Sequence, residues 1–197
     1  EVFAQARAGA AGAEQGLLEL LANESQPAIA RATAASMLQS WPGPEVAQSL
    51  FVALRAEDPQ IRLGALQAVS SYPPITRWQL VSHLLEAPER VVRLQAAAQL
   101  LDIPPEQMRG DDIKRLRDAQ DAYLAAQQAN ADDTSAQLNI GVFYQTRGQL
   151  ALAEDAYRRA IELDPYFIAG YVNLADLYRA SFRDPDAERL LQTGLEQ

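Results

Sequence analysis

The sequence lacks cysteine and is poor in histidine, and these absences exclude several kinds of site. With no cysteine among its 197 residues, the chain can supply no disulfide, thiolate metal ligand, cysteine nucleophile or covalent haem attachment. His83 is the single histidine, and a metal site around it would need carboxylates as its other ligands. We interpret His83 as a structural or surface residue, and we predict that the chain binds no metal and no cofactor.

Long apolar runs and a surplus of basic residues are also missing. No run approaches the roughly 18 apolar residues of a membrane span, so we expect no membrane insertion. The 17 Lys and Arg residues are outnumbered by 26 Asp and Glu, which gives a net charge of -9. Because binding a phosphate backbone requires the opposite surplus, nucleic acid is not expected as a partner. The chain begins at Glu1 with neither methionine nor a leader, which indicates a segment of a longer protein.

Catalytic motifs are missing as well. The sequence contains no Gly-rich phosphate loop, nucleophile elbow or zincin helix. Acidic pairs such as Glu57-Asp58, Asp132-Asp133 and Glu154-Asp155 could suggest acid–base or calcium chemistry, but no calcium-loop pattern surrounds them. We interpret these pairs as residues of helix starts or exposed turns that compensate helix dipoles. The chain is therefore not expected to be an enzyme.

The N-terminal half is built of repeats. A 31-residue step aligns four columns over three units, and a period of this size indicates stacked helical hairpins. Each unit has an apolar helix, a break near a proline and a second helix, because proline suits a helix start or the loop after a helix. The columns are Arg31, Arg62 and Arg93; Ala34, Ala65 and Ala96; Leu38, Val69 and Leu100; and Pro42, Pro73 and Pro104.

The segments "EDPQIRLGALQAV" and "EAPERVVRLQAAAQLL" resemble the second helix of HEAT-like repeats, where a proline precedes an aliphatic-Arg pair and alanine. The resemblance covers about residues 15–105, and the short period resembles the compact bacterial variety. It implies that each column arginine bonds loop carbonyls or acids of its own or the next unit. Alternatively, the arginines form a basic strip for an acidic ligand. Trp41 and Trp78 are interpreted as packing residues or, alternatively, as ligand platforms.

The C-terminal half repeats at a 34-residue step. Small residues at fixed places let antiparallel helices approach closely, and tyrosines fill the remaining gaps. Gly148 is expected to supply the positive φ that ends the first helix of the first hairpin. Gly141, Tyr144, Ala153, Tyr157 and Ala160 recur at this step as Ala175, Tyr178, Ala187, Leu191 and Gly194.

This pattern resembles the tetratricopeptide repeat. Residues 134–167 match it nearly throughout, although Gln137 replaces the first aromatic residue. The second unit, from Ile168, has Phe182 where Gly148 turns the first hairpin, so we expect an irregular turn there. Ala119, Tyr123 and Ala126 repeat the same columns, so helix 112–129 resembles the second helix of a degenerate unit.

Together the repeats predict an all-α fold, a right-handed α-solenoid in which a HEAT-like array continues into a tetratricopeptide array. The predicted domains are 1–105 with HEAT-like repeats, 106–133 with the connecting helix, and 134–197 with two tetratricopeptide units, the last truncated. Solenoid ends need a polar cap. Because none follows the last unit, we expect Leu190, Leu191 and Leu195 to leave an open apolar end through which the chain could self-associate.

The tetratricopeptide resemblance also implies a binding groove. In that family, asparagines on the first helices often hold the backbone of a bound peptide, and Asn139 and Asn173 occupy such positions. Leu138 and Val172 stand where the family's carboxylate clamp has lysines, so a mixed apolar and polar segment is favoured over an acidic C-terminus. Alternatively, the asparagines merely cap or solvate the helices. The predicted partner-binding residues are Leu138, Asn139, Val142, Gln145, Val172, Asn173, Asp176 and Arg179.

Two functions remain open at this point. The first is a non-catalytic protein–protein interaction scaffold that binds a protein or peptide on the concave tetratricopeptide face. The alternative comes from the order of the parts. A Pro-rich HEAT-like array followed by "YVNLADLYRA"-type repeats resembles the C-terminal tail of bacterial periplasmic multihaem cytochromes. This second resemblance implies an accessory domain of an electron-transfer protein, and it favours the bacterial periplasm over the cytoplasm.

Overall fold

A computed structural model describes all 197 residues, and its regular structure is entirely helical. The predicted all-α fold of helical hairpins is therefore confirmed. No helix combines the length and the apolar character that crossing a membrane would require. The α-helices are α1 Val2–Arg7, α2 Ala13–Ala22, α3 Ala28–Met37, α4 Pro44–Ala53, α5 Pro59–Ala68, α6 Pro74–Val81, α7 Arg90–Ala98, α8 Asp111–Gln128, α9 Thr134–Gln145, α10 Leu150–Leu163, α11 Ile168–Ala180 and α12 Asp184–Leu195.

The chain divides into two compact units. The first unit comprises Glu1–Gln120 and the second comprises Asp121–Gln197. The boundary falls within α8, inside the segment 106–133 that the sequence assigns to a connector. The finer domain limits at residues 105 and 133 stay predictions.

Prolines start three consecutive helices of the first unit. Pro44, Pro59 and Pro74 are the first residues of α4, α5 and α6. At this position proline's fixed φ suits the helix, and the missing N–H would have no intrahelical partner. Asp58 caps α5, since its carboxylate accepts a hydrogen bond of 2.8 Å from the backbone N–H of Gln60. Proline and cap together define where this helix begins.

The 31-residue columns of small and aliphatic residues form the core of the first unit. Gly64 lies against the backbone of Ala32, so that α5 and α3 approach more closely than any side chain at this position would allow. Both columns are completely buried, as the repeat predicts. They consist of Ala34, Ala65 and Ala96, and of Leu38, Val69 and Leu100.

In the second unit, two hairpins pack through small residues and tyrosines. In the first hairpin, formed by α9 and α10, Gly141 faces the ring of the fully buried Tyr157, and a Cβ atom at Gly141 would overlap that ring. Ala153 and Ala160 are also completely buried. The second hairpin, formed by α11 and α12, has the same kind of contact, because Gly194 lies against the ring of Tyr171. The close approach expected from the 34-residue repeat is confirmed.

The turns of the two hairpins have the same conformation. Gly148 has φ of 69°, and Phe182, at the equivalent position, has φ of 57°. In both turns the following residue donates to a carbonyl five residues earlier, Gln149 to Tyr144 and Arg183 to Tyr178. The prediction of an irregular turn at Phe182 is therefore wrong. A left-handed conformation is unfavourable for a bulky residue, so the replacement of glycine produces backbone strain while the path of the chain is kept.

Candidate functional site

The predicted groove residues of α9 share one face of that helix. Leu138, Val142 and Gln145 are spaced by four and three residues, and Asn139 lies three residues before Val142, which places them on adjoining positions of a helix. All four are partly buried. Leu138 and Val142 pack against the core of the second unit and keep part of their surfaces exposed. This face of α9 therefore combines apolar contact area with two amide side chains.

The equivalent face of α11 is more exposed. Val172, Asp176 and Arg179 are exposed, whereas Asn173 is partly buried. Arg179 forms an ion pair with Asp176 at 3.4 Å. Since both side chains are well solvated, the pair contributes little to stability and leaves both groups available to a ligand. Because α9 and α11 contact each other, the structure brings the eight predicted residues onto two neighbouring helices.

Both asparagines already make one hydrogen bond within the second unit. The amide of Asn139 donates to the side-chain oxygen of Gln127 at 3.1 Å, and that of Asn173 donates to the carbonyl of Ala169 at 2.8 Å. Their side-chain oxygens make no hydrogen bond within the chain. Each asparagine can therefore accept a hydrogen bond from a ligand at once, but it can donate one only by leaving its present partner.

Gln145 is held in place by the tyrosine behind it. The hydroxyl of Tyr157 donates a hydrogen bond of 2.6 Å to the side-chain oxygen of Gln145. Burial raises the pKa of Tyr157 to about 12, so this hydroxyl keeps its proton at neutral pH. The bond orients the Gln145 amide so that its nitrogen remains free to donate.

A cluster of charged residues in the second unit was not predicted from the sequence. Glu154 accepts hydrogen bonds from Arg158, Tyr178 and Arg183 at 2.6–2.9 Å. Burial alone would raise the pKa of Glu154, but these three bonds outweigh it and lower the pKa. The interpretation of Glu154 as a helix-start residue is wrong, because α10 begins at Leu150 and the carboxylate joins α10 to α11 and the start of α12. No periodicity indicates this cluster, since its members come from different columns.

An apolar surface covers the end of the second unit. A cavity of about 360 Å³ opens there between the start of α11 and the end of α12, and none of its lining residues is charged. The expectation that Leu191 and Leu195 are exposed is confirmed, but Leu190 packs against the core. We define the C-terminal apolar patch as Tyr166, Ile168, Tyr171, Val172, Leu191 and Leu195.

The column arginines of the first unit donate hydrogen bonds to carbonyls at the end of a helix or in the loop after it. Arg31 donates to the carbonyl of Leu21 at 2.9 Å, and Arg93 donates to those of Ala87 and Pro88 at 2.6 and 2.9 Å. These bonds satisfy carbonyls in the last turn of a helix or just beyond its end, where no intrahelical donor is available.

Arg62 makes the same kind of contact and one more. It donates to the carbonyls of Ala56 and Glu57, and it forms a 2.6 Å ion pair with Glu89 of the next repeat. The structural role implied by the HEAT resemblance is thus confirmed. The alternative, a free basic strip for an acidic ligand, is wrong.

The other singled-out residues of the first unit are structural as well. Trp78 is buried in the core, and Trp41 packs against the core with part of its surface exposed. The Nε2 atom of His83 donates to the carbonyl of Leu54 at 3.1 Å, whereas its buried Nδ1 atom has no partner. Burial lowers the pKa of His83, and the nearby Arg55 acts in the same direction. No group of three His, Asp or Glu side chains is arranged to hold a metal ion.

The first unit is built of helical hairpins with an arginine at the 31-residue step. Residues 14–102 match the family model of HEAT repeats. The HEAT-like repeats predicted from the sequence are thereby confirmed, and they extend from α2 to the segment just after α7. No curated protein matches this chain. The tetratricopeptide resemblance of residues 134–197 and the resemblance to a cytochrome tail stay predictions.

Proposed function

We propose that this chain is a non-catalytic scaffold that binds an extended segment of a partner protein on the face formed by α9 and α11. HEAT repeats commonly act as protein-interaction scaffolds, and proteins that contain them are generally non-catalytic. The tetratricopeptide resemblance of the second unit supports a peptide-binding role for this face in particular. Because the chain is acidic, we expect no affinity for nucleic acid.

The observation that carries the proposal is the recurrence of a partly buried asparagine, at the 34-residue step, on two contacting helices. Asn139 and Asn173 each present an unused side-chain oxygen. Two backbone N–H groups on the same side of an extended segment could donate to these two oxygens. Peptide recognition of this kind takes affinity from backbone hydrogen bonds and specificity from the side chains around them.

The residues around the asparagines indicate a segment of mixed character. Leu138, Val142 and Val172 offer apolar contact, whereas Asp176 and Arg179 offer one charge of each sign. Since no lysine lies beside either asparagine, the face has no clamp for a terminal carboxylate. The favoured ligand is therefore an internal segment with alternating apolar and polar side chains.

A selection from a phage-displayed library of random peptides tests the proposal, because it requires no identified partner. Peptides retained by the wild-type chain are titrated against the double variant Asn139→Ala, Asn173→Ala. Each net hydrogen bond contributes roughly 0.5–1.5 kcal/mol, so we expect the affinity to fall by about tenfold or more.

Asn130→Ala is the matched control. Asn130 donates to the carbonyl of Ala126, four residues earlier, just as Asn173 donates to Ala169, but Asn130 lies outside α9 and α11. The control should bind the selected peptides like the wild type. If the double variant keeps its fold and binds these peptides as tightly as the control does, the face of α9 and α11 is not the binding site.

A further inference from the structure

A second cavity of the second unit lies beside the charged cluster around Glu154. It has a volume of about 400 Å³, and residues from α10, α11 and α12 surround it. Three aliphatic side chains form its apolar floor: Leu174 is buried, and Ile161 and Leu190 pack against the core. The cavity shares no residue with the C-terminal apolar patch. Its volume falls within the roughly 300–1,000 Å³ of small-molecule sites.

Three arginines surround the apolar floor of this cavity. Arg158 belongs to α10, Arg189 belongs to α12, and Arg183 directly precedes α12. Two carboxylates, those of Glu162 and Asp186, line the cavity as well. Three positive charges against two negative ones give the lining a net positive charge, although the whole chain has a net charge of -9. The cavity is therefore a local site where an anion is favoured.

Ion pairs hold the three guanidinium groups in place. Arg183 binds Glu154 at 2.9 Å and Asp186 at 2.8 Å, and Arg158 binds Glu154 at 2.6 Å. Asp186 also accepts a hydrogen bond from Arg189. Arg158 and Arg189 use only one terminal nitrogen each, so their Nε atoms and their other terminal nitrogens make no hydrogen bond within the chain. Two positioned arginines thus keep N–H donors for a ligand.

We propose that this cavity binds a carboxylate that carries an apolar chain. The free N–H groups of Arg158 and Arg189 donate to the carboxylate, since hydrogen bonds between two charged groups are stronger than neutral ones. The apolar chain lies on the aliphatic floor and removes it from water. A small inorganic anion would leave that floor uncovered. A free aliphatic acid and the apolar last residue of a peptide both offer this chemistry.

An NMR titration of the full chain tests the site with two acids, octanoate and N-acetylated glycylglycylleucine. Their amides, which lack the charge, and acetate, which lacks the apolar chain, are the matched ligand controls. We expect the backbone amide signals of Leu174 and Thr193, which line the cavity, to shift with a Kd of about 1 mM for the better acid. The controls should bind at least about tenfold more weakly. The acid that binds more tightly identifies the source of the carboxylate.

Arg189→Met tests the role of the guanidinium, because methionine keeps much of the aliphatic stem and removes the charge. The affinity for octanoate should fall by about tenfold, as expected for the loss of a charge-assisted hydrogen bond. Since the side chain of Arg189 is 77% exposed and pairs only with Asp186, thermal unfolding should match that of the wild type. Arg117→Met is the matched control, because Arg117 is 58% exposed and pairs only with Glu106, in the first unit. It should bind octanoate like the wild type.

Any one of three results would overturn the proposal. The first is that neither acid shifts the signals of the cavity residues, and the second is that octanoate and octanamide bind equally well. The third is that Arg189→Met binds octanoate as tightly as Arg117→Met does. The proposal does not depend on the face of α9 and α11, so the Asn139→Ala, Asn173→Ala variant should bind octanoate normally even where it has lost peptide binding.

Discussion

The two units are both built of helical hairpins, but different forces hold the hairpins together. In the first unit, Arg62 and Arg93 reach back to the carbonyls of the preceding loops, and Arg62 also joins Glu89 of the next repeat. In the second unit, the fully buried ring of Tyr157 fills the gap that Gly141 leaves. The first unit thus adds directional hydrogen bonds from its arginines to a packed core, whereas complementary volumes hold the first hairpin of the second unit.

The difference shows that helical hairpins can pair the backbone carbonyls of their loops in two ways. HEAT-like loops leave carbonyls without a helical donor, and a guanidinium with several N–H groups can bind two of them at once. The hairpins of the second unit turn through a single left-handed residue, Gly148 or Phe182, and the N–H of the next residue donates to a carbonyl five residues earlier. Removal of a column arginine should therefore destabilise the first unit, whereas a change of volume at a close helix contact should destabilise either unit.

The largest effect is expected at Gly64, where α3 and α5 of the first unit approach each other closely. Gly64→Ala should destabilise the chain by about 3 kcal/mol, because the new Cβ would overlap the backbone of Ala32, which cannot rotate away. Urea unfolding followed by tryptophan fluorescence measures this loss, since Trp41 and Trp78 are the only tryptophans and both lie in the first unit.

Gly16→Ala serves as the control for Gly64→Ala. Gly16 also lies inside a helix, but a Cβ there would meet Val2 at 3.4 Å, close to an ordinary contact. This variant should be stabilised by about 0.5–1 kcal/mol, because alanine favours a helix more than glycine does. An equal gain in Gly64→Ala would contradict the close approach of α3 and α5.

Removal of one column arginine should have the next largest effect on stability. Arg62→Met keeps the aliphatic stem but removes the bonds to Ala56, Glu57 and Glu89, so we expect a loss of about 2 kcal/mol. Arg90→Met, on the exposed surface of α7, should change stability by less than about 0.5 kcal/mol. Tryptophan-detected urea unfolding compares the two. If both variants are equally stable, the arginine does not fix the hairpin.

A smaller gain is expected from the second unit. Phe182→Gly should stabilise the chain by about 1 kcal/mol, because glycine adopts the φ of 57° without the steric penalty that phenylalanine has. Phe182 is 94% exposed, so its removal forfeits little packing. Thermal unfolding followed by circular dichroism is the measurement, and Phe182→Ala, which keeps a Cβ, is the control. A gain as large in the alanine variant would show that strain at this turn is not the cause.

The smallest effect is expected in the pH dependence of the free energy of unfolding, to which His83 contributes. Burial lowers the pKa of His83 in the folded chain, whereas the unfolded chain takes up this proton near the ordinary value of about 6.5. The unfolded state therefore binds more protons just below that pH, and the free energy of unfolding falls as the pH drops through it.

His83→Gln isolates this contribution, because the glutamine amide can still donate to the carbonyl of Leu54 but does not titrate. Tryptophan-detected urea unfolding of both proteins between about pH 7.5 and pH 5.5 is the test. The wild type should lose more stability over this range than the variant. Parallel pH profiles would mean that folding does not lower the pKa of His83.

Much of the fold can be predicted from the sequence, because a pattern that recurs in several repeats indicates the same helix faces each time. Two of the four columns at the 31-residue step indicate the inward faces of the first unit, and Pro44, Pro59 and Pro74 mark helix starts. The turn at Gly148 was predictable from glycine's freedom at positive φ. Phe182 was not, since the hairpin's packing imposes a backbone conformation that phenylalanine alone would avoid.

The candidate site was predictable only in part. Helical spacing shows that Asn139 and Gln145 share a face, but not that Gln127 and Tyr157 already bind their amides. The cluster around Glu154 escapes the sequence because its members lie 4 to 29 residues apart and belong to no common column. Only the packing of three helices brings these charges together.

The sequence by itself determined the helical class, the two periods and the small-residue columns, because these depend on spacing along the chain and on the volume each side chain occupies. Only the tertiary structure decided which polar groups have hydrogen-bond partners and which apolar residues are exposed. The arginines could have formed a free strip, yet they donate to backbone carbonyls at helix ends and in loops. Leu190 and Leu195 are both leucines of α12, yet one packs against the core and the other is exposed, since burial depends on which helix lies opposite.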